Sequence, residues 1–148
     1  MKNIETIKNK DEVLAIIVRG DFNETGIHFF TPGDYSQQLA YMHHPTDHII
    51  KPHVHNIVTR TVHKTNEVLV IKKGKLRCDF FDDDQNYLES IILQDGDIIL
   101  LVSGGHGFKC LEEVEMYEIK QGPYAGDDDK IRFESNIEDN QLKFVTGE

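Results

Sequence analysis

The sequence lacks most of the marks that would place it quickly. Only two cysteines occur, Cys78 and Cys110. They cannot build a disulfide framework, and such a pair is expected to be reduced and buried. Positive charge is scarce, with 16 Lys and Arg against 26 Asp and Glu and a formal charge of -10. A surface of that sign repels a phosphate backbone, which argues against nucleic acid as a partner. Long apolar runs are missing: Ile98-Ile99-Leu100-Leu101-Val102 is among the longest, far short of the roughly 20 residues that cross a bilayer. Met1 to Glu5 alternates charged with apolar residues and shows no leader pattern, so the expected location is the cytoplasm, away from membranes. No Gly-rich phosphate loop, Gly-x-Ser-x-Gly elbow or Cys-x-x-Cys pair is present, which removes the usual support for nucleotide-loop, serine-hydrolase and zinc-ribbon functions.

What the sequence does have is a two-residue hydrophobic period, broken by Gly, Asp and Asn every ten residues or so. That spacing predicts an all-β sandwich or barrel in one domain over residues 1–148. Residues 67–72 are rich in β-branched side chains and end at Lys73-Gly74, where Gly accepts the positive φ of a tight turn. Residues 76–81 alternate, Asp82-Asp83-Asp84-Gln85-Asn86 is turn chemistry, and residues 87–93 resume a strand, which reads as a hairpin. After Gln94-Asp95-Gly96-Asp97 the apolar segment 98–102 is expected to be buried on both faces. Residues 114–120 alternate again and stop at Gln121-Gly122-Pro123, because Pro has no ladder donor. Residues 13–19 and 26–31 read as strands, and 35–42 as strand or short helix. The segment 127–148 holds seven acids against three bases and is expected on the surface or reaching toward a partner subunit.

Five of the eight histidines crowd into the stretch from His43 to His55. In His53-Val54-His55 a strand would project both rings from one face, about 6.6 Å apart at Cα. Both could reach one ion, with Glu67 and His106 as the further ligands. Three neutral imidazoles and a carboxylate suit a divalent transition metal with open positions for substrate: iron, manganese, nickel, cobalt, copper or zinc. Leu69 and Ile71 share a face with Glu67 and turn it inward, where a carboxylate needs a cation. His28, His43, His44 and His48 read as structural or surface residues and stay out of the site. The Asp82 to Asp84 run lacks the spaced ligands of a calcium loop and reads as a solvated turn.

These residues resemble the cupin superfamily, whose first motif is His-x-His, a spacer, Glu, six residues and Gly. Glu67 is followed by six residues and Gly74. The second motif is Gly, five residues, Pro-x-Gly, two residues and His; here Gly96 leads through Val102-Ser103-Gly104-Gly105 to His106, with Val for Pro and His one position early. The resemblance covers about residues 50–121 and implies a double-stranded β-helix, a jelly-roll barrel with short helical or irregular ends, and a metal. The spacer from His55 to Glu67 is eleven residues, whereas His63 stands three residues before Glu67. Two ligand sets therefore stand: His53, His55, Glu67 and His106, which gives the better chelate and is favoured, or His63, Glu67 and His106.

In the favoured set His63 is free to act as general base, an unliganded imidazole near neutrality. Arg60, Tyr41, Lys120, Gln121 and Tyr124 flank the expected strands and are candidates for the substrate mouth, with Arg60 able to fork onto an anion. The expected function is a small metal-dependent enzyme acting on a polar metabolite such as a sugar or sugar acid, by isomerase, epimerase or lyase chemistry at a polarised carbonyl. Iron would instead allow a dioxygenase. A non-catalytic metabolite-binding or sensory module, and a metal-free cupin using His as acid or base, are the competing readings. Cupins of this kind commonly pair through sheet edges, which implies a homodimer.

Overall fold

In the computed structural model, which describes residues 3–135 and 137–145, the alternating segments form ten strands. They are β1 (Ile4–Asn9), β2 (Glu12–Val18), β3 (Gly26–Phe29), β4 (Ala40–His43), β5 (Glu67–Lys73), β6 (Lys75–Phe81), β7 (Tyr87–Gln94), β8 (Ile98–Leu101), β9 (Gly105–Cys110) and β10 (Glu115–Lys120). Two short 3-10 turns, Gly126–Asp129 and Asp139–Gln141, complete the regular structure. The fold is all-β, and its sheets are antiparallel. Among the described residues no helix is long and apolar enough to cross a membrane.

The chain divides into two compact units, residues 1–22 with 65–148, and residues 23–64. In the first, a five-stranded sheet of order β1-β2-β8-β5-β10 packs against a three-stranded sheet of order β7-β6-β9. The two-residue period decides which side chains meet. Ala15, Ile17, Leu69, Ile71, Ile99 and Leu101 from the larger sheet share one core with Leu76, Cys78, Phe80, Ile91 and Leu93 from the smaller. Full burial of each such aliphatic or aromatic side chain contributes roughly 1.5–3 kcal/mol before entropy is counted. Ile99 and Leu101 face this core while Leu100, between them, is 0% exposed on the other face, so the apolar β8 is covered on both sides as expected.

Turn chemistry explains the joins. Asp82 accepts hydrogen bonds from the Asp84 and Asn86 amides at 3.0 and 2.8 Å, closing the β6–β7 hairpin. Gly74 does not close a hairpin, because β5 and β6 belong to different sheets. It carries the chain from one sheet to the other at φ +96°, where a Cβ would stand 1.9 Å from the Glu113 carbonyl oxygen. Before β8, the buried Asp97 accepts from the Gly20 amide at 2.9 Å and the Gln94 amide at 3.0 Å and pairs with Arg19 at 2.7 Å. Arg19 also holds Glu5 at 2.6 Å, which ties β1 to that corner.

The acidic C-terminal segment returns to its own unit. Ser90 of β7 donates its amide to the Lys143 carbonyl at 2.7 Å and accepts from the Val145 amide at 3.0 Å, while Val145 packs against the core. Asp139 reaches Arg77, and the Phe133 ring meets Phe81 edge-on at 5.1 Å. Both faces of β6 are thereby buried. Cys110 departs from expectation, being exposed, whereas Cys78 is buried; both are free thiols.

In the second unit β3 and β4 pair with Gly26 opposite His43. Thr31 and Gln38 join their side chains at 2.8 Å across the connection. Residues 44–64 carry no strand. The unit holds seven of the eight histidines, His28, His43, His44, His48, His53, His55 and His63.

Candidate functional site

Strand register places the polar side chains of the first unit. Glu67 opens β5 on the face of Leu69 and Ile71, the face expected from the sequence. Lys120 is its cross-strand partner on β10. His106 lies opposite Phe80 on β9, so it too faces the interior. Across the space between the sheets, His106 Nε2 stands 3.2 Å from Glu67 Oε2, and Lys120 Nζ stands 3.2 Å from Glu67 Oε1. Glu118, two residues before Lys120 and therefore on the same face, takes the ammonium at 2.9 Å.

Glu67 is only 8% exposed, and burial alone would keep its carboxyl protonated. The hydrogen bond from His106, with a second from Lys120, outweighs that burial and holds the carboxyl at about 2. Glu118 and Glu67 together push the Lys120 ammonium upward, Glu118 contributing most. An ionised carboxylate held between the His106 imidazole and the Lys120 ammonium is thus fixed on the interior face.

The backbone around it is pinned. Asn66 is buried and donates to the Val102 carbonyl at 3.1 Å, and its own carbonyl accepts from the Gln121 amide at 2.9 Å. The start of β5 and the end of β10 are held together there. Gly104 and Gly105 permit the approach of β9: Cβ atoms on them would meet the Phe81 carbonyl oxygen at 2.7 Å and Phe81 Cβ at 3.2 Å. The space the glycines leave is filled by the chain itself.

No family model matches the chain, and neither does any curated protein or solved structure.

Of the residues singled out in the sequence, the first unit brings together Glu67, His106 and Lys120. Gln121 follows directly, and its side chain donates to the Gly122 carbonyl at 3.1 Å. Tyr124 is 89% exposed. In the second unit His53 and His55 are exposed and lie outside any strand, so the single strand face expected for them is absent. Their rings still meet edge to face at 5.1 Å, with His53 Nδ1 3.1 Å from the Lys51 carbonyl oxygen. Arg60 and His63 lie exposed on the same irregular segment. Tyr41 is on β4, its ring 6.4 Å from that of His43. His44 and His48 stack at 4.1 Å across the turn between them. Among the described residues no three His, Cys, Asp or Glu side chains gather closely enough to hold a metal ion.

Sequence reasoning missed Glu118 and Asn66. Glu118 was recoverable from the alternation that puts it beside Lys120. Asn66 carries no local signal, since its role depends on strands distant in sequence.

Proposed function

We propose that the chain is a small cupin-type protein, a double-stranded β-helix, that binds a divalent transition metal and acts on a small polar metabolite such as a sugar or sugar acid. One observation carries this reading: Glu67 of the first motif and His106 of the second meet at 3.2 Å on the interior face. Adjacent donors on an ion with bonds near 2.1 Å are separated by about 3 Å, so the oxygen and nitrogen present suit neighbouring coordination positions. The proposed ligand set is His53, His55, Glu67 and His106, for iron, manganese, nickel, cobalt, copper or zinc. A metal bound there supplies a Lewis acid for a substrate carbonyl. The chain's own groups do the rest: Lys120 orients the polar head, Gln121, Arg60, Tyr41 and Tyr124 are the further substrate contacts, and His63 moves the proton. The expected assembly is a homodimer.

Elemental analysis after purification without chelator or nickel resin tests this, on the wild type and on His53→Ala, His55→Ala, His63→Ala and His106→Ala. Near-stoichiometric metal that is lost in all but the His63 variant supports the set. An empty wild type after reconstitution rejects it.

A second reading rests on Lys120. At 3.2 Å it already gives the buried carboxylate a cation, so Glu67 can serve without a metal by orienting His106 as acid or base, as a carboxylate orients an imidazole in hydrolytic triads. A metal-free protein whose ligand binding is lost in His106→Gln favours it.

A further inference from the structure

Lys120 answers to two carboxylates. On β5 and β6 a lysine meets one: Lys72 holds Glu115 at 2.6 Å, Lys73 holds Glu113 at 3.6 Å and Lys75 holds Glu112 at 2.8 Å. Lys120 stands 3.2 Å from Glu67 and 2.9 Å from Glu118. The register makes this arrangement. Lys120 is directly opposite Glu67, so their side chains start about 5 Å apart. Glu118, two residues back, is opposite Leu69, which offers it no charge. The bond from the Gln121 amide to the Asn66 carbonyl, at 2.9 Å, fixes that end of the pairing.

The two oxygens of Glu67 are divided, Oε1 facing Lys120 Nζ and Oε2 facing His106 Nε2. One ammonium and one carboxylate cancel, and such a pair has no charge left for a further cation. Glu118 changes that balance: two carboxylates, one ammonium and a neutral imidazole carry one net negative charge. It also leaves Lys120 with a full partner when the ammonium gives up Glu67.

We propose that Lys120 is a resident cation that holds Glu67 until a divalent ion arrives between Oε2 and His106, and that Glu118 is the seat to which the ammonium then withdraws. The inference rests on the reading of Glu67 and His106 as metal ligands. It adds Glu118 as a positioning residue and makes metal affinity a competition between the ion and a lysine. The buried carboxylate is then never without a cation, whose loss would leave it desolvated and unpaired.

The test is calorimetric titration of the full chain, stripped by chelator and dialysed, with Co2+. The quantity read is the Co2+ site that is lost in His106→Gln. Lys120→Met is expected to bind about tenfold tighter and Glu118→Gln about tenfold weaker, the scale of a unit charge a few ångströms from a divalent ion in a hydrated site. Added to Lys120→Met, Glu118→Gln changes affinity by less than about threefold, because its effect runs through the lysine. Lys120→Gln serves with the same expected sign if Lys120→Met does not fold. An unchanged Glu118→Gln, or an equal loss with and without Lys120, overturns the seat. Weaker binding in Lys120→Met makes the ammonium a support for Glu67 and overturns the competition. These outcomes leave the metal reading standing, since the site lost in His106→Gln is still there. A wild-type chain with no such site removes the metal reading and this proposal with it.

Discussion

Arg77 and Asp79, two residues apart on β6, form an ion pair on the face of the small sheet turned away from the core, with Nε 2.9 Å from Oδ1 and Nη2 3.0 Å from Oδ2. Both are at least nine-tenths buried. Ser90 donates its hydroxyl to the same carboxylate, and Tyr87 bonds Ser90 at 2.8 Å. Removing one partner strands the other charge, so Asp79→Ala is expected to cost about 3–5 kcal/mol in urea unfolding. Replacing both with apolar residues, Arg77→Met with Asp79→Leu, costs less than either single change. An Asp79→Ala cost below about 1 kcal/mol, the scale of an exposed pair, would show that water reaches this site.

Glu67 sets an acid limit. Its carboxyl is held at about 2 against an ordinary 4.5, chiefly by His106 and then Lys120, with burial opposing. The folded state therefore favours the ionised form. The stability this gives is full above pH 4.5 and is lost as pH falls toward 2, to an extent of up to about 3 kcal/mol by linkage. In metal-free chain, Glu67→Gln is expected to flatten the urea midpoint across that window. A midpoint as steep as the wild type's assigns the acid sensitivity to other carboxylates.

The two thiols separate by accessibility. Burial, with the neighbouring Asp79 charge, pushes the Cys78 thiol well up, while Cys110 is exposed. Iodoacetamide at neutral pH is expected to modify one thiol in the native chain and both in denaturant, with the first label on Cys110 by mass spectrometry. Native labelling of Cys78 would mean that the core opens on the timescale of alkylation.

Two glycines make a matched pair. Gly74→Ala forces a Cβ to 1.9 Å from the Glu113 carbonyl at φ +96°, while Gly33 has open space around it. The first is expected to cost at least about 2 kcal/mol and the second less than about 0.5 kcal/mol, by thermal unfolding. Equal costs would mean that the crossing between sheets relaxes around the added methyl.

Where the sequence carried its own geometry, the fold could be read from it. The inward turn of Glu67 follows from Leu69 and Ile71, and the β6–β7 hairpin follows from Asp82 and Asn86. β1 was missed because a bulge between Ile7 and Lys8 breaks its period. β9 carries no strand signal of its own because Gly105 and Gly107 interrupt its hydrophobic period, yet Phe81 occupies the space beside Gly105 and the strand pairs along its whole length with β6. His53 and His55 were read as strand residues, yet their segment has no buried face to hold one. Local pattern could not say that β5 and β6 part into different sheets, since that depends on partners far along the chain. The approach of His106 to Glu67 is of that kind, and only the motif spacing hinted at it.

The cover over Arg77 has a bearing on how the chain is made. Asp139 is synthesised 62 residues after Arg77, and at about 5–20 residues per second that is an interval of roughly 3–12 seconds. During it the polar side of the small sheet faces water while its apolar side can already pack. Arg77 and Asp79 keep the middle of that side polar, so that Phe81 at its end is the apolar side chain of that row left for Phe133 to cover when the C-terminal segment arrives.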